Sequence, residues 1–148
     1  MPEARCVNLC GGDRVTLKNF RQLNILNYHI SDLKEKIRQA EVNAEKCTVS
    51  FSDSIVSGSS VNRKEDCYAR LMDLRKKLKN AQDELDTVLT AYNRIDDRLV
   101  KTAMNLKYDV EHLGRHPISW TATAWIIGGG NTGDGIRMCC KRYLERNT

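Results

Sequence analysis

Six side chains towards the C-terminus have the donor chemistry of a nucleic-acid contact: Arg115, Asn131, Thr132, Arg137, Lys141 and Arg142. Arginine pairs best with guanine edges and asparagine with adenine, while lysine and arginine grip phosphates. On this chemistry Asn131, Thr132 and Arg137 are expected at base edges. Lys141, Arg142 and Arg115 are expected on phosphates. Each has a plainer use as well. Asn131 and Thr132 suit a helix cap, and the basic residues suit a solvated helix face. Trp120 and Trp125 are expected in the core rather than as stacking platforms.

Other chemistry is poorly provided for. Gly128, Gly130 and Gly133 match the spacing G-x-G-x-x-G. A dinucleotide site also needs a preceding strand, a full βαβ unit and an acidic residue further on. Only fifteen residues follow Gly133, too few for that unit. Cys6 and Cys10 make at most half a zinc site, and His29, His112 and His116 are scattered. Glu111-His112 has the wrong spacing for the Glu-x-x-His metal motif of helical bundles. The expectation is no enzyme activity, no metal and no cofactor.

The elements that must position the six donors follow from periodicity. Ser119 caps a short helix over 119–127, with Trp120, Ala124 and Ile127 on one face. Ala124 supplies the small side chain that two crossing helices need. Gly128-Gly129-Gly130 supply left-handed backbone, and Thr132 caps a second helix over 132–146. Ile136, Cys139, Cys140 and Tyr143 form its inner stripe, and Asp134, Arg137, Lys141 and Glu145 its outer one. This is the outline of a helix-turn-helix, with a turn longer than the tightest form and with Gly133 and Gly135 weakening the second helix.

Further upstream the pattern is heptad. Leu23, Leu26, Ile30, Leu33, Ile37, Ala40, Ala44 and Cys47 recur at steps of three and four, in a helix started by Asp13 or Thr16. Thr48 to Ser60 holds six serines and a glycine, and reads as a loop, 48–63 in all. A second helix from near Lys64 repeats the pattern with Cys67, Leu71, Leu74, Leu78, Ala81, Leu85, Val88, Tyr92 and Ile95. Asp96-Asp97 breaks it and caps a further helix to about Asp109, whose apolar face is Leu99, Ala103, Leu106 and Val110. Similar helix lengths around one loop predict an antiparallel hairpin. In it Glu41 and Glu45 face Lys64 and Arg70, while Lys34 and Lys36 approach Arg75 and Lys77.

The chain has 148 residues, with 24 basic and 19 acidic side chains and a net charge of +5. Residues 1–60 and 61–112 carry +1 each, and residues 113–148 carry +3, so the excess sits with the six donors. The longest apolar runs are too short to span a membrane, and no signal peptide is apparent. Six cysteines without a secretion signal read as free thiols, which places the protein in the cytoplasm.

The order of these motifs is familiar. The charged heptad helix, Asp96-Asp97, Leu106-Lys107-Tyr108, Ser119-Trp120 with Ala124, the glycine turn to Thr132, and Arg142-Tyr143-Leu144 follow one another. Across residues 57–146, and most clearly 95–146, the chain resembles small phage and prophage proteins of Gram-positive bacteria related to sigma factor region 4. These include the late-gene activators of the RinA and ArpU type. The resemblance implies a sequence-specific DNA-binding regulator of phage genes.

The expected architecture is therefore all-α. An irregular segment, 1–15, precedes a coiled-coil hairpin over 16–95, and a three-helix helix-turn-helix head follows over 96–148. The expected partner is double-stranded DNA, bound by a homodimer joined through the heptad helices. Host RNA polymerase or another host protein is a further candidate partner. The alternative is a coiled-coil interaction protein that modulates a host transcription or defence complex without reading DNA.

Overall fold

The ends of the heptad stripes do more than close a hairpin. In the computed structural model, which describes residues 14–53 and 58–147, they run on into the core of the C-terminal helices. Every regular element among the described residues is an α-helix: α1 (Leu17–Arg21), α2 (Leu23–Asp53), α3 (Gly58–Asn93), α4 (Arg98–Tyr108), α5 (Trp120–Ile127) and α6 (Gly133–Asn147). None is long and apolar enough to cross a membrane. These residues fall into two compact units, one of residues 28–83 and one that joins residues up to 27 with those from 84 onward.

The first unit is a helical pair. Ile30, Leu33, Ile37, Ala40 and Ala44 of α2 are buried, as are Leu71, Leu74 and Ala81 of α3, all at expected heptad positions; Leu26, Cys67 and Leu78 are half-buried, and the Cys47 side chain lies outside the described residues. Four residues separate Asp53 from Gly58. Fully extended, the five steps from Asp53 to Gly58 reach roughly 18 Å, far less than the roughly 46 Å length of α2, so the helices run antiparallel. Two expectations are corrected. The loop over 48–63 is helical up to Asp53 and again from Gly58. Serine costs a helix only about 0.5 kcal/mol against alanine, no proline interrupts the stretch, and a nucleated helix propagates. The longer helices also shift the pairing: Glu41 lies 3.7 Å from Arg75. Lys36 and Lys77, expected to suffer like-charge neighbours, pair within their own helices with Asp32 (3.0 Å) and Asp73 (3.2 Å). The irregular segment 1–15, with Cys6 and Cys10, lies outside the described residues as far as residue 13.

The second unit, here the head, takes in more chain than 96–148. Phe20 and Leu23, then Val88, Tyr92 and Ile95, share one core with Val100, Met104, Tyr108, Ile136, Cys140 and Leu144. The physical reason is continuity: Leu23 begins the first heptad stripe and Ile95 ends the second. Thr16 starts only the five-residue α1, its N–H donating to the Asn19 carboxamide (2.8 Å), and α2 follows after a turn at Gln22.

Asp97 caps α4 by accepting from the Val100 N–H at 3.1 Å. The break at Asp96-Asp97 resets the helical phase. Val100, Ala103, Met104 and Tyr108 are buried, while Leu99 and Leu106, expected on that face, are half-buried. Tyr143 crosses back to this joint, its Oη donating to Asp96 Oδ1 at 2.7 Å. Replacing Asp97 by alanine should cost about 1 kcal/mol, as loss of a cap does, and Asp97→Asn should cost much less. Urea unfolding of the two variants measures the difference.

Candidate nucleic-acid interface

α4 ends at Asp109 in the left-handed region, φ 52°, and its carboxylate then accepts the Gly114 N–H at 2.7 Å. The link to α5 is tied back on α4. Ile118 N–H donates to the Lys107 carbonyl at 3.0 Å, and Lys107 Nζ donates to the Ile118 carbonyl. The same ammonium sits 4.9 Å from the Trp120 ring centroid and 5.2 Å from that of Tyr108. Burial, with Arg21 nearby, pulls the Lys107 pKa below its ordinary value. Tyr108 meets Trp120 edge-on at 6.0 Å and Phe20 at 6.1 Å. This aromatic row fixes the start of α5 on α4 and α1.

Ser119 caps α5, accepting the Ala122 N–H at 3.0 Å. Thr123, fully buried, donates its hydroxyl to the Ser119 carbonyl at 2.9 Å, and Ala124 is buried beside it. Gly128, Gly129 and Gly130 all have φ between 71° and 76°, which a side chain would strain. They reverse the chain so that α6 starts against α5. A Cβ on Gly133 would lie 2.9 Å from the Thr121 nitrogen. α6 buries Ile136, Cys140, Tyr143 and Leu144. Burial pushes the Cys140 thiol up to about 12, so it is a packing residue rather than a thiolate.

The six expected donors are not gathered at one place. Thr132 accepts the Gly135 N–H at 3.0 Å and so caps α6. Asn131 donates from Nδ2 to the Gly128 carbonyl at 2.8 Å and closes the turn. Both stay exposed. Arg115 is turned onto the end of α4, where it donates to the carbonyls of Leu106 and Asn105, so it serves as a helix cap. Arg137 and Lys141 come together, but beside α1. Arg137 is half-buried, with Nε 3.6 Å from Asp134 Oδ1. Lys141 and Arg142 are exposed and have no ion-pair partner among the described residues.

Three basic residues were missed. Arg14, Lys18 and Arg21 line a groove of about 290 Å³ together with Arg137 and Lys141. The signal was present: positions 14, 18 and 21 follow a helical step of four and three. The acidic side chain in the lining is Glu145, whose carbonyl accepts Arg14 Nη1 at 2.9 Å. Trp125 is corrected too, being 85% exposed, with Ile126 beside it 54% exposed. α5 has eight residues and one inward face, which Trp120, Thr123, Ala124 and Ile127 fill, leaving Trp125 on the outside. No family model, characterised protein or solved structure matches this chain.

Proposed function

We propose that the chain is a sequence-specific, double-stranded-DNA-binding transcriptional regulator, phage-encoded and cytoplasmic, with α5, the glycine turn and α6 acting as a helix-turn-helix. The observation that carries this reading is α6 itself. It is a capped fifteen-residue helix, seated on α4 and α5 by one face and abutting the first turn of α5 through Gly133. Its outer side offers Lys141 and Arg142 without acidic partners among the described residues. A recognition helix needs that combination of a fixed seat and a free face.

In this reading Arg142, expected on a phosphate, takes the base-edge role expected of Arg137, because it is exposed whereas Arg137 is half-buried and lies 3.6 Å from Asp134; the exposed turn residues Asn131 and Thr132 approach base edges with it. Thr132 still has its hydroxyl proton to donate, and Asn131 its carboxamide oxygen to accept. Arg137 and Lys141, beside α1, serve phosphates. Arg115, occupied at the end of α4, is dropped from the contact set. A homodimer through the exposed sides of the long helices would present two recognition helices to two half-sites. Its relation to sigma region 4-like activators, and an encounter with host RNA polymerase, remain part of the proposal.

A second reading, a coiled-coil interaction protein acting on a host complex, draws on Tyr68 and Met72. They lie four residues apart on α3 and are 49% and 65% exposed. One titration separates the two. Fluorescence anisotropy against fragments upstream of the gene should show binding that survives competitor DNA and weakens steeply with salt. Arg142→Ala should cost about tenfold in affinity, with an unchanged melting curve, if it holds one base contact of about 1–3 kcal/mol. Binding that competitor DNA abolishes would sink the sequence-reading head and favour the protein partner.

A further inference from the structure

We infer that the groove between α1 and α6 is a second grip on the same nucleic acid, taking a phosphate of the duplex backbone; this rests on the DNA-binding reading above. Its lining brings Arg14, Lys18, Arg21, Arg137 and Lys141 together over an apolar floor that includes Leu144. Lys18, Arg21 and Lys141 are exposed and have no ion-pair partner among the described residues. Like charges within one Debye length, about 8 Å at physiological salt, repel each other unless an anion lies between them. Among the described residues Glu145 is the acidic member of the lining, so these residues make the groove cationic in sum.

The occupant is identified by chemistry and by place. Arginine and lysine side chains in a concave row match phosphate oxygens. Arg137 and Lys141 also belong to the helix proposed to face the duplex, so an anion on the groove is within reach of the same molecule. A larger groove, of about 420 Å³, has a mixed lining with Asp86 facing the same space as Arg94 and carries no such preference. α1 therefore acts as a clamp that adds backbone contacts without reading sequence.

The test uses the full chain and its best-binding fragment. Lys18→Gln with Arg21→Gln removes two cations, shortens both side chains and keeps helix propensity. Each phosphate contact adds about 0.9 to the slope of log affinity against log salt. The double variant should lower that slope by about 0.9 and weaken binding at 0.15 M salt by about fivefold relative to the loss at 1 M. Lys18→Arg with Arg21→Lys should restore most of both, and circular-dichroism melting should be unchanged. A wild-type slope in the Gln variant, with fragment binding intact, overturns the clamp and leaves the recognition helix standing. An equal loss in the charge-keeping variant overturns it as well. A wild-type chain that binds no fragment removes both readings. Calorimetry with a mononucleotide alone distinguishes a free ligand: heat that disappears in the Gln variant would reassign the groove to a small phosphate and overturn the backbone assignment.

Discussion

Replacing Phe20 by alanine should destabilise the head by about 3–5 kcal/mol, the range for a large aromatic deleted from a packed core. Phe20 is fully buried, and so are Leu23, Val100 and Met104 in the same cluster. Its ring lies 6.1 Å from Tyr108, which in turn meets Trp120 at 6.0 Å, so one side chain closes a row that joins α1, α4 and α5. Removing it leaves a void that the rigid helices around it fill only in part, and the loss of dispersion adds to the loss of burial. Against a typical total of about 5–15 kcal/mol, such a loss is large. Urea unfolding followed by near-ultraviolet circular dichroism would measure it. Phe20→Leu should recover more than half. A loss under about 1 kcal/mol for the alanine variant would mean that α1 is not part of the head at all. The same variant should weaken DNA binding at urea concentrations where the rest of the head is still folded, because Lys18 and Arg21 sit on the helix that Phe20 anchors.

Much of this molecule was legible because its signals are short-range. The buried heptad positions from Ile30 to Ala44, and at Leu71, Leu74 and Ala81, follow from spacing alone. So do the Asp97, Ser119 and Thr132 caps, each a polar side chain one place before a helix. The glycine turn announced itself by composition. What stayed hidden depends on distance along the chain. Nothing near Arg14 says that its guanidinium will meet the carbonyl of Glu145, 131 residues on. Nothing near Arg115 separates a phosphate contact from a hydrogen bond to the end of α4. The serine-rich stretch misled for a different reason: serine's helix cost is small beside the gain from extending helices that already exist. The apolar face of α4 was placed in part: Ala103 and Val110 are buried as expected, but Val100, Met104 and Tyr108 were missed, because a new helix starts with its own phase. Trp125 was misplaced by residue type, although the stripe of Trp120, Ala124 and Ile127 already excluded it from the inner face.

Gly133→Val is the sharper probe of the candidate interface, with an expected loss of about 3 kcal/mol, the upper end of the overpacking range. A Cβ there would lie 2.9 Å from the Thr121 nitrogen and 3.1 Å from its Cα. These are backbone atoms at the capped start of α5 and have no rotamer to yield. Relief must come from moving α6 away from α5, and that displaces Arg137, Lys141 and Arg142 together. Alanine at 133 adds the same Cβ without the two methyls, and gains helix propensity of at most about 1 kcal/mol, so it should lose less than valine does. Gly130→Ala supplies the contrast. Its Cβ meets nothing within 4 Å, but its φ of +76° strains any side chain, at a cost of about 1–2 kcal/mol. The two glycines therefore fail for different reasons and should respond differently to asparagine. At 130 asparagine tolerates the left-handed region and should recover stability. At 133 it should not, since the obstacle is space. Thermal melts of the five variants test this directly. A Gly133→Val protein that melts with wild type would show that α5 and α6 do not touch there, and the seat proposed for the recognition helix would be lost with the contact.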